Sequence, residues 1–332
     1  MSFQLNLLIH INYIPFLTIQ SKQRCSRQAV KQPIKDTKIN TIAEIKNFVT
    51  YQKKLDKKIA FVPTMGSLHD GHLSLVEIAK QHADIVICSI FINAKQFAAN
   101  EDLAKYPKNL EDDISKLTSR NIDCLYMPEH QEIYPDNILT EIKLKKINNC
   151  LCGRSRPEFL GGVALVVLKL FNQIMPDIAI FGEKDYQQLL MIKQLVRDLD
   201  IPIDIISGEI IRETDGLAMS SRNIYLSEQE RKVAPKLFYT LQKIARIIKT
   251  SQNNNNHNID SSINIAAILD EAKNDLLDFG FTKVDYLEIR RESSLALLSE
   301  SDLNLITKQN NARIFAAIYM NDCRLIDNIA IL

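Results

Sequence analysis

Two histidines, His69 and His72, stand three residues apart where a strand pattern gives way to a helix pattern. Each imidazole can donate a hydrogen bond to a phosphate oxygen and can carry a proton near neutral pH. Gly71 between them permits close approach of the backbone to a ligand. These residue types at this spacing predict a site that binds and transfers a phosphate-containing group.

The elements around the pair support the same interpretation. Residues 59–62 form an apolar run that predicts a buried strand, Pro63 is expected to end it, and Gly66 permits a tight turn. A helix pattern begins near His72. In α/β folds such a turn binds phosphates, because free N–H groups at the helix N-terminus attract anions. We therefore expect the turn to bind phosphate through its backbone as well.

A His-x-x-His pair is also half of a metal site. No Cys or carboxylate at ligand spacing follows it, and Cys150 with Cys152 makes a lone Cys-x-Cys that is too little for a metal site. We therefore predict no metal held by the protein. The His-x-Gly-His pattern instead resembles the signature of the nucleotidyltransferase superfamily, which also includes class I aminoacyl-tRNA synthetases.

Strand and helix patterns alternate through residues 39–211, which predicts a doubly wound parallel sheet of the α/β, Rossmann-like class. The predicted strands are residues 58–62, 84–93, 124–127, 177–181 and 203–206. The predicted helices are residues 41–55, 72–82, 112–120, 163–174 and 186–198. This domain is expected to bind the nucleotide.

Residues 212–332 predict a second, smaller α+β domain. Ser227 and Glu230 form a capping box at the start of a long helix over residues 227–248, which Pro235 is expected to bend or break. The asparagine-rich stretch 251–258 predicts a solvated loop. A second helix at 259–279 and antiparallel strands at 284–289 and 314–319 complete the domain.

Residues 1–38 differ from the rest of the chain. Residues 5–19 are apolar but too short and too polar to span a bilayer, and residues 20–38 carry six Lys or Arg with one acid. This loosely resembles a transit peptide, although no small-residue cleavage site is obvious. We expect a disordered extension, or a start codon placed too far upstream.

Composition excludes few functions but narrows the setting. The chain has 332 residues, 46% of them hydrophobic and 24% charged, and its net charge of +1 gives no argument for nucleic acid or membrane as a partner. Cys88 and Cys124 lie in apolar, strand-like runs. They predict buried thiols in a reducing compartment, and so a cytoplasmic protein.

Three further polar clusters follow predicted strand ends, where doubly wound sheets bind ligands. They are Asn93 with Lys95 and Gln96, residues 182–185 with Gln188, and residues 215–222. Gln96 and Gln188 can orient a hydroxy acid through paired donor and acceptor contacts, although an exposed Gln commonly has no role.

The other two clusters suit a nucleotide. Lys184 can meet a phosphate as a point charge, and Asp185 can bind ribose hydroxyls or equally cap the next helix. Ser220 and Ser221 supply hydroxyl donors, and Arg222 supplies a planar fork for phosphate oxygens. Taken alone, Ser-Ser-Arg predicts only a polar loop.

With these segments together, the chain resembles the pantoate–β-alanine ligase (pantothenate synthetase) family from about residue 41 to residue 332. The matching motifs are Pro63-Thr64-Met65-Gly66, Leu68-His69, Gly71-His72, Ser89-Ile90-Phe91-Ile92-Asn93, Gln96-Phe97, Asp102-Leu103, Tyr106-Pro107, Glu132-Ile133-Tyr134-Pro135, Arg156-Pro157, Pro176-Asp177, Phe181-Gly182-Glu183-Lys184-Asp185-Tyr186-Gln187-Gln188, Asp215-Gly216-Leu217-Ala218-Met219-Ser220-Ser221-Arg222-Asn223 and Arg324-Leu325-Ile326-Asp327-Asn328.

The resemblance implies that ATP, with Mg²⁺, activates pantoate as pantoyl adenylate, which β-alanine converts to pantothenate. It also implies that the protein is a homodimer. In the site, it implies that His72 donates a proton and that His69 and Lys184 contact phosphate. The implied substrate residues are Gln96, Gln188 and Asn93. The implied ATP-binding residues are Met65, Gly66, Ser67, Leu68, His69, Asp70, Gly71, His72, Gly182, Glu183, Lys184, Asp185, Ile211, Met219, Ser220, Ser221 and Arg222.

Two departures from the family pattern concern the pantoate side. The family usually has Asn-Pro where this chain has Asn93-Ala94, and it has a His within the segment that here reads Glu158-Phe159. Two alternatives therefore stay open from the sequence. One is a nucleotide-binding protein that has lost turnover, and the other is a different adenylyltransferase of the superfamily.

Overall fold

The computed structural model describes residues 37–98, 101–255, 264–299, 302, 306 and 311–331. The extension predicted for residues 1–38 lies almost entirely outside them. Residues 37 and 38, however, belong to a short strand, so the predicted boundary falls inside an element. Three residues are too few to give a local strand signal, and this strand exists because it pairs with another one far along the chain.

Six parallel strands form one sheet within the described part of the chain: β1 (Thr37–Ile39), β2 (Ile59–Thr64), β3 (Ile85–Ile90), β4 (Cys124–Tyr126), β5 (Ile178–Gly182) and β6 (Asp204–Gly208). Their order is β1-β4-β3-β2-β5-β6. From β2 the chain therefore builds β3 and β4 on one side, and it then crosses back to place β5 and β6 on the other side of β2. Such a reversal of strand order creates the crevice in which doubly wound sheets bind ligands, and the predicted fold class is confirmed.

Helices cover both faces of this sheet: α1 (Ile42–Lys54), α2 (Asp70–His82), α3 (Leu110–Ser119), α4 (His130–Ile133), α5 (Leu151–Ser155), α6 (Phe159–Ile174) and α7 (Tyr186–Asp198). One core lies between the sheet and α1, α6 and α7, and includes Phe61 and Phe171. The other core lies under α2 and α3, and includes Val62 and Leu117. Cys88 and Cys124 are both fully buried, as predicted.

The prediction that Pro63 ends β2 is wrong, because Pro63 lies within this strand. The carbonyl of Thr64 accepts a hydrogen bond from Phe91 on the β3 side, so the nitrogen of Pro63 faces β5. Pairing between β2 and β5 stops at Phe61. Proline is tolerated here because its missing N–H faces a side where the strand has no partner.

The C-terminal part contains α8 (Glu228–Val233), α9 (Lys236–Asn255), α10 (Ile265–Asp278) and an antiparallel sheet of β7 (Lys283–Arg291), β8 (Ala312–Met320) and β9 (Cys323–Ala330). α9 and α10 bury a separate hydrophobic core against this sheet. The capping box at Ser227 is present, and the helix breaks around Pro235 as predicted. The division of the chain at residue 211 remains a prediction.

Two details of this part differ from the prediction. α9 extends to Asn255, so residues 251–255 of the predicted loop 251–258 are helical, because each residue added to an existing helix gains a hydrogen bond. Residues 256–258 lie outside the described residues. β9 was not predicted, and its residues contribute to the lining of the site. No helix of the described residues is both long and apolar enough to cross a bilayer.

Candidate active site

A cavity of about 1100 Å³ opens at the carboxyl ends of the central strands of the parallel sheet. Predicted residues from all four polar clusters line it: Met65, His69, Gly71, His72, Asn93, Gln96, Gly182, Lys184, Asp185, Gln188, Ile211, Met219, Ser220, Ser221 and Arg222. Five predicted ATP-binding residues are not in its lining: Gly66, Ser67, Leu68, Asp70 and Glu183. The volume is large enough for a nucleotide together with a small acid.

The two histidines cap α2 with their own rings. His69 Nδ1 accepts a hydrogen bond from the Gly71 amide at 3.2 Å, and His72 Nδ1 accepts one from the His69 amide at 3.3 Å. A neutral imidazole has one acceptor and one donor nitrogen, so both rings carry their proton on Nε2. The amides of residues 69 and 71, which we expected to be free for phosphate, are therefore occupied, and imidazole N–H groups replace them as donors.

Both imidazoles are neutral at physiological pH. Burial is the main reason that the pKa of His69 is lowered to about 2 and that of His72 to about 4, and the nearby Lys184 ammonium contributes to both of these shifts. The expectation that they carry a proton near neutral pH is wrong for the chain without ligand. Their ring centroids lie 4.1 Å apart, so two uncharged N–H donors stand side by side.

Lys184 and Asp185 follow β5, next to the histidine turn. The Lys184 Nζ atom lies 4.0 Å from Asp185 Oδ2. Asp185 occupies the N-cap position of α7, yet its side chain makes no capping hydrogen bond. Of the two interpretations that the sequence left equal, the structure does not show the helix cap, and the ribose contact stays a prediction.

The C-terminal sheet holds the loop that carries Lys184. Asn328, on β9, donates from Nδ2 to the carbonyls of Glu183 and Lys184, each at 3.0 Å, and Arg313 orients the Asn328 amide from 2.6 Å. The carboxylate of Glu183 lies 3.5 Å from Arg313 and so faces the C-terminal sheet rather than the cavity. The sequence used Asn328 only as part of a family motif, because nothing local shows which loop it contacts.

Gln96 is positioned by a buried network. Tyr134 donates to Asn93 Oδ1 at 2.7 Å, and Asn93 Nδ2 donates to Gln96 Oε1 at 3.0 Å and to the Gly162 carbonyl at 3.1 Å. Asn93, 1% exposed, therefore orients Gln96 more than it reaches a substrate. These bonds fix the loop even though Ala94 stands where the family usually has proline.

The second departure places an aromatic ring against a cation. The Arg156 guanidinium carbon lies 4.0 Å from the centroid of the Phe159 ring, while its nitrogens pair with Glu101 and donate to the Gln96 carbonyl at 3.1 Å. Phe159 thus packs Arg156 against the wall of the cavity, close to the loop of Gln96.

Ser221 and Arg222 close the cavity from the C-terminal side. Ser221 Oγ donates to the Ser67 carbonyl at 2.9 Å, which joins this segment to the histidine turn. Both nitrogen donors of the Arg222 fork contact Asp102, whose role the sequence did not predict. The carbonyl of Ile211, an implied ATP-binding residue, already accepts a hydrogen bond from the Met219 amide at 3.0 Å, so the backbone group of Ile211 that remains for a ligand is its N–H.

Comparison with known proteins shows the family of this chain. A family model described as pantoate–β-alanine ligase matches residues 37–330. The chain belongs to the pantoate–β-alanine ligase family. The described residues contain no group of three or more His, Cys, Asp or Glu side chains arranged to hold a metal.

Relatives and solved structures cover nearly the same span. A pantothenate synthetase of Caldicellulosiruptor bescii is 41% identical over 293 residues, 88% of this chain and 98% of the relative, and one of Pseudomonas putida is 44% identical over 88% and 96%. The structure of pantothenate synthetase from Thermus thermophilus superposes with a TM-score of 0.78 at 35% identity, over 89% of this chain and 99% of that chain. The ligase of Francisella tularensis, solved with β,γ-ATP and β-alanine, gives 0.72 at 35% identity, over 89% and 97%.

Proposed function

We propose that this chain ligates pantoate to β-alanine at the expense of ATP, through a pantoyl adenylate, and releases pyrophosphate and AMP. The observation that carries the proposal is one cavity, lined by the two histidines and Lys184 together with Gln96 and Gln188. Family membership along residues 37–330 supports the choice of substrates.

In the first step, a carboxylate oxygen of pantoate attacks the α-phosphorus of ATP, and the bond to pyrophosphate breaks. Negative charge on the phosphate oxygens increases, so donors fixed in advance lower the barrier. The Nε2–H groups of His69 and His72, with Lys184, are such donors. His72 is the proposed proton donor: its ring is neutral without ligand, and the negative charge of bound phosphates raises its pKa, so that the ring takes up from solvent the proton that it then donates.

In the second step, the β-alanine amine attacks the acyl carbon, the bond to the AMP oxygen breaks, and the amine nitrogen loses a proton. Gln96 and Gln188 hold pantoate, so the acyl carbon stays in place for this attack. Arg156 and Phe159 lie on the wall next to the loop of Gln96, and the substituted segment is therefore part of the pantoate end of the cavity.

We propose, on the resemblance alone, that Mg²⁺ arrives on the phosphates of ATP, where it needs few protein ligands. We also propose a homodimer, on the resemblance alone, and a cytoplasmic location, on the buried thiols of Cys88 and Cys124. Light scattering after size-exclusion chromatography measures the oligomeric state, and the mass of a single chain would contradict a homodimer.

Purified protein with ATP, Mg²⁺, pantoate and β-alanine, each omitted in turn, tests the function by AMP release. AMP formation that requires both acids supports the ligase. ATP binding without AMP release would instead support a protein that has lost turnover. Pyrophosphate exchange with another acid, and none with pantoate, would identify a different adenylyltransferase.

A further inference from the structure

Asp113 makes an unusual contact with the turn that precedes the two histidines. It lies in the first part of α3, is 2% exposed, and uses both carboxylate oxygens. Oδ2 accepts a hydrogen bond from the Ser67 amide and Oδ1 accepts one from the Leu68 amide, each at 2.7 Å. A buried carboxylate is stabilised when hydrogen bonds satisfy its oxygens, and here two backbone donors do so.

The turn that Asp113 holds has a backbone that needs support. Gly66 has a φ of +81° and Ser67 a φ of +51°, so two successive residues adopt left-handed conformations. Serine adopts this region at a cost, and such residues persist only where their surroundings hold them. A Cβ atom on Gly66 would lie 2.9 Å from Asp113 Oδ2, so the carboxylate can approach only because this residue is glycine.

α3 contacts the same turn through a second residue. Lys116, one helical turn after Asp113, donates from Nζ to the Leu68 carbonyl at 2.7 Å. The peptide groups on both sides of Leu68 are therefore fixed by α3. Because His69 follows directly and caps α2, these contacts set the direction from which both imidazole Nε2–H groups enter the cavity.

We propose that Asp113, assisted by Lys116, is the positioning residue of the adenylyl-transfer site. Asp113 does not line the cavity and acts through the backbone of Ser67 and Leu68. A carboxylate suits this role because two N–H donors need two acceptors, whereas an amide offers one oxygen and turns an NH2 group toward the other donor. The proposal rests on the proposed function, since it concerns the first step of that reaction.

Asp113→Asn tests the proposal, with Glu111→Gln as the matched control because exposed Glu111 lies in the same turn of α3 and loses the same charge. We expect kcat of AMP release to fall about 10- to 100-fold in Asp113→Asn, as for other small displacements of reacting groups, while the KM for pantoate stays within about threefold. Glu111→Gln should keep the kcat of the unsubstituted chain within about twofold.

NMR of nitrogen-labelled histidine measures the ring-nitrogen chemical shifts, which a loss of stability alone would not change in the folded protein. We expect the Nδ1 and Nε2 shifts of His69 and His72 to change in folded Asp113→Asn and to stay unchanged in Glu111→Gln, because the first change alters the hydrogen bonds of these rings. Unchanged shifts together with an unchanged kcat would overturn the proposal.

If Asp113→Asn does not fold, Lys116→Met removes the hydrogen bond to the Leu68 carbonyl and leaves the Asp113 carboxylate in place. A lower kcat with an unchanged KM for pantoate then supports the proposal. An unchanged kcat overturns it. If the unsubstituted chain itself releases no AMP with pantoate and β-alanine, the proposed function fails. The histidine shifts then decide alone whether Asp113 positions the turn.

Discussion

Arg222 and Asp102 form a two-pronged ion pair at the edge of the cavity, although 120 positions separate them in the chain. Arg222 Nε lies 2.8 Å from Asp102 Oδ2, and its Nη2 lies 2.9 Å from Oδ1. The rings of Phe97 and Tyr106 lie about 6 Å from the same guanidinium. The cation that the sequence predicted for phosphate is therefore already oriented before a ligand arrives.

A double-mutant cycle measures what this pair contributes to ATP use. Asp102→Asn frees the fork of Arg222, and Arg222→Lys keeps the charge but cannot pair through two nitrogens. We expect each change to lower kcat/KM for ATP, with a coupling of about 0.5–3 kcal/mol between them. Additive losses in the double variant would show that Asp102 does not act through Arg222.

The role of His72 can be separated into its two nitrogens. We expect His72→Ala to lower turnover about 10²- to 10⁴-fold, the range for a positioned proton donor. Gln places an amide N–H near the position of Nε2, while Asn replaces only the capping acceptor Nδ1. His72→Gln should therefore retain more AMP release than His72→Asn. A loss below about threefold in His72→Ala would contradict the role.

Lys184 is predicted to act on ATP rather than on the acids. Removal of its charge in Lys184→Met should lower kcat/KM for ATP about 10- to 100-fold, because a hydrogen bond to a charged group contributes about 1.5–3 kcal/mol. Steady-state kinetics with varied ATP measure this. Lys249→Met, on the exposed face of α9, is the control. Equal effects of the two changes would argue against a contact between Lys184 and phosphate.

Tyr134 is predicted to affect pantoate through Asn93. Tyr134→Phe removes the hydroxyl that donates to Asn93 Oδ1. The side-chain amide of Asn93, which donates to Gln96, is then no longer held in one orientation. We expect the KM for pantoate to rise about 2- to 15-fold, because one hydrogen bond contributes about 0.5–1.5 kcal/mol. The KM for ATP should change little. A rise in both constants would instead indicate a general loss of structure.

The buried histidines predict a dependence of stability on pH. Their pKa values are lowered from 6.5 to about 2 and about 4, so below pH 6.5 the unfolded chain binds more protons than the folded chain. The free energy of unfolding should therefore fall as pH decreases from 6.5 toward 4.

Urea unfolding at pH 7 and pH 4.5 checks this sign. The double variant with His69→Gln and His72→Gln should lose less stability between these pH values than the unsubstituted chain does. His82→Gln, at the exposed end of α2, controls for the removal of a histidine. An equal loss of stability in all three proteins would contradict the expectation.

The sequence by itself determined the type and order of the main elements, because hydrophobic patterns and caps are local. Apolar runs predicted the buried parallel strands, and Ser227 with Glu230 predicted the start of α8. Placement of polar clusters after strand ends was enough to bring His72, Lys184 and Gln96 to one edge of the sheet, since parallel strands end on the same side.

The tertiary structure decided how each of these side chains is used. Burial, which depends on packing by distant segments, made both histidines neutral. Contacts across long separations turned Asn93 into a support for Gln96, bound Glu183 to the C-terminal sheet and aimed Asp113 at the histidine turn. The sequence pattern shows which donors and acceptors exist, but only the folded chain determines which of them pair and which remain for a ligand.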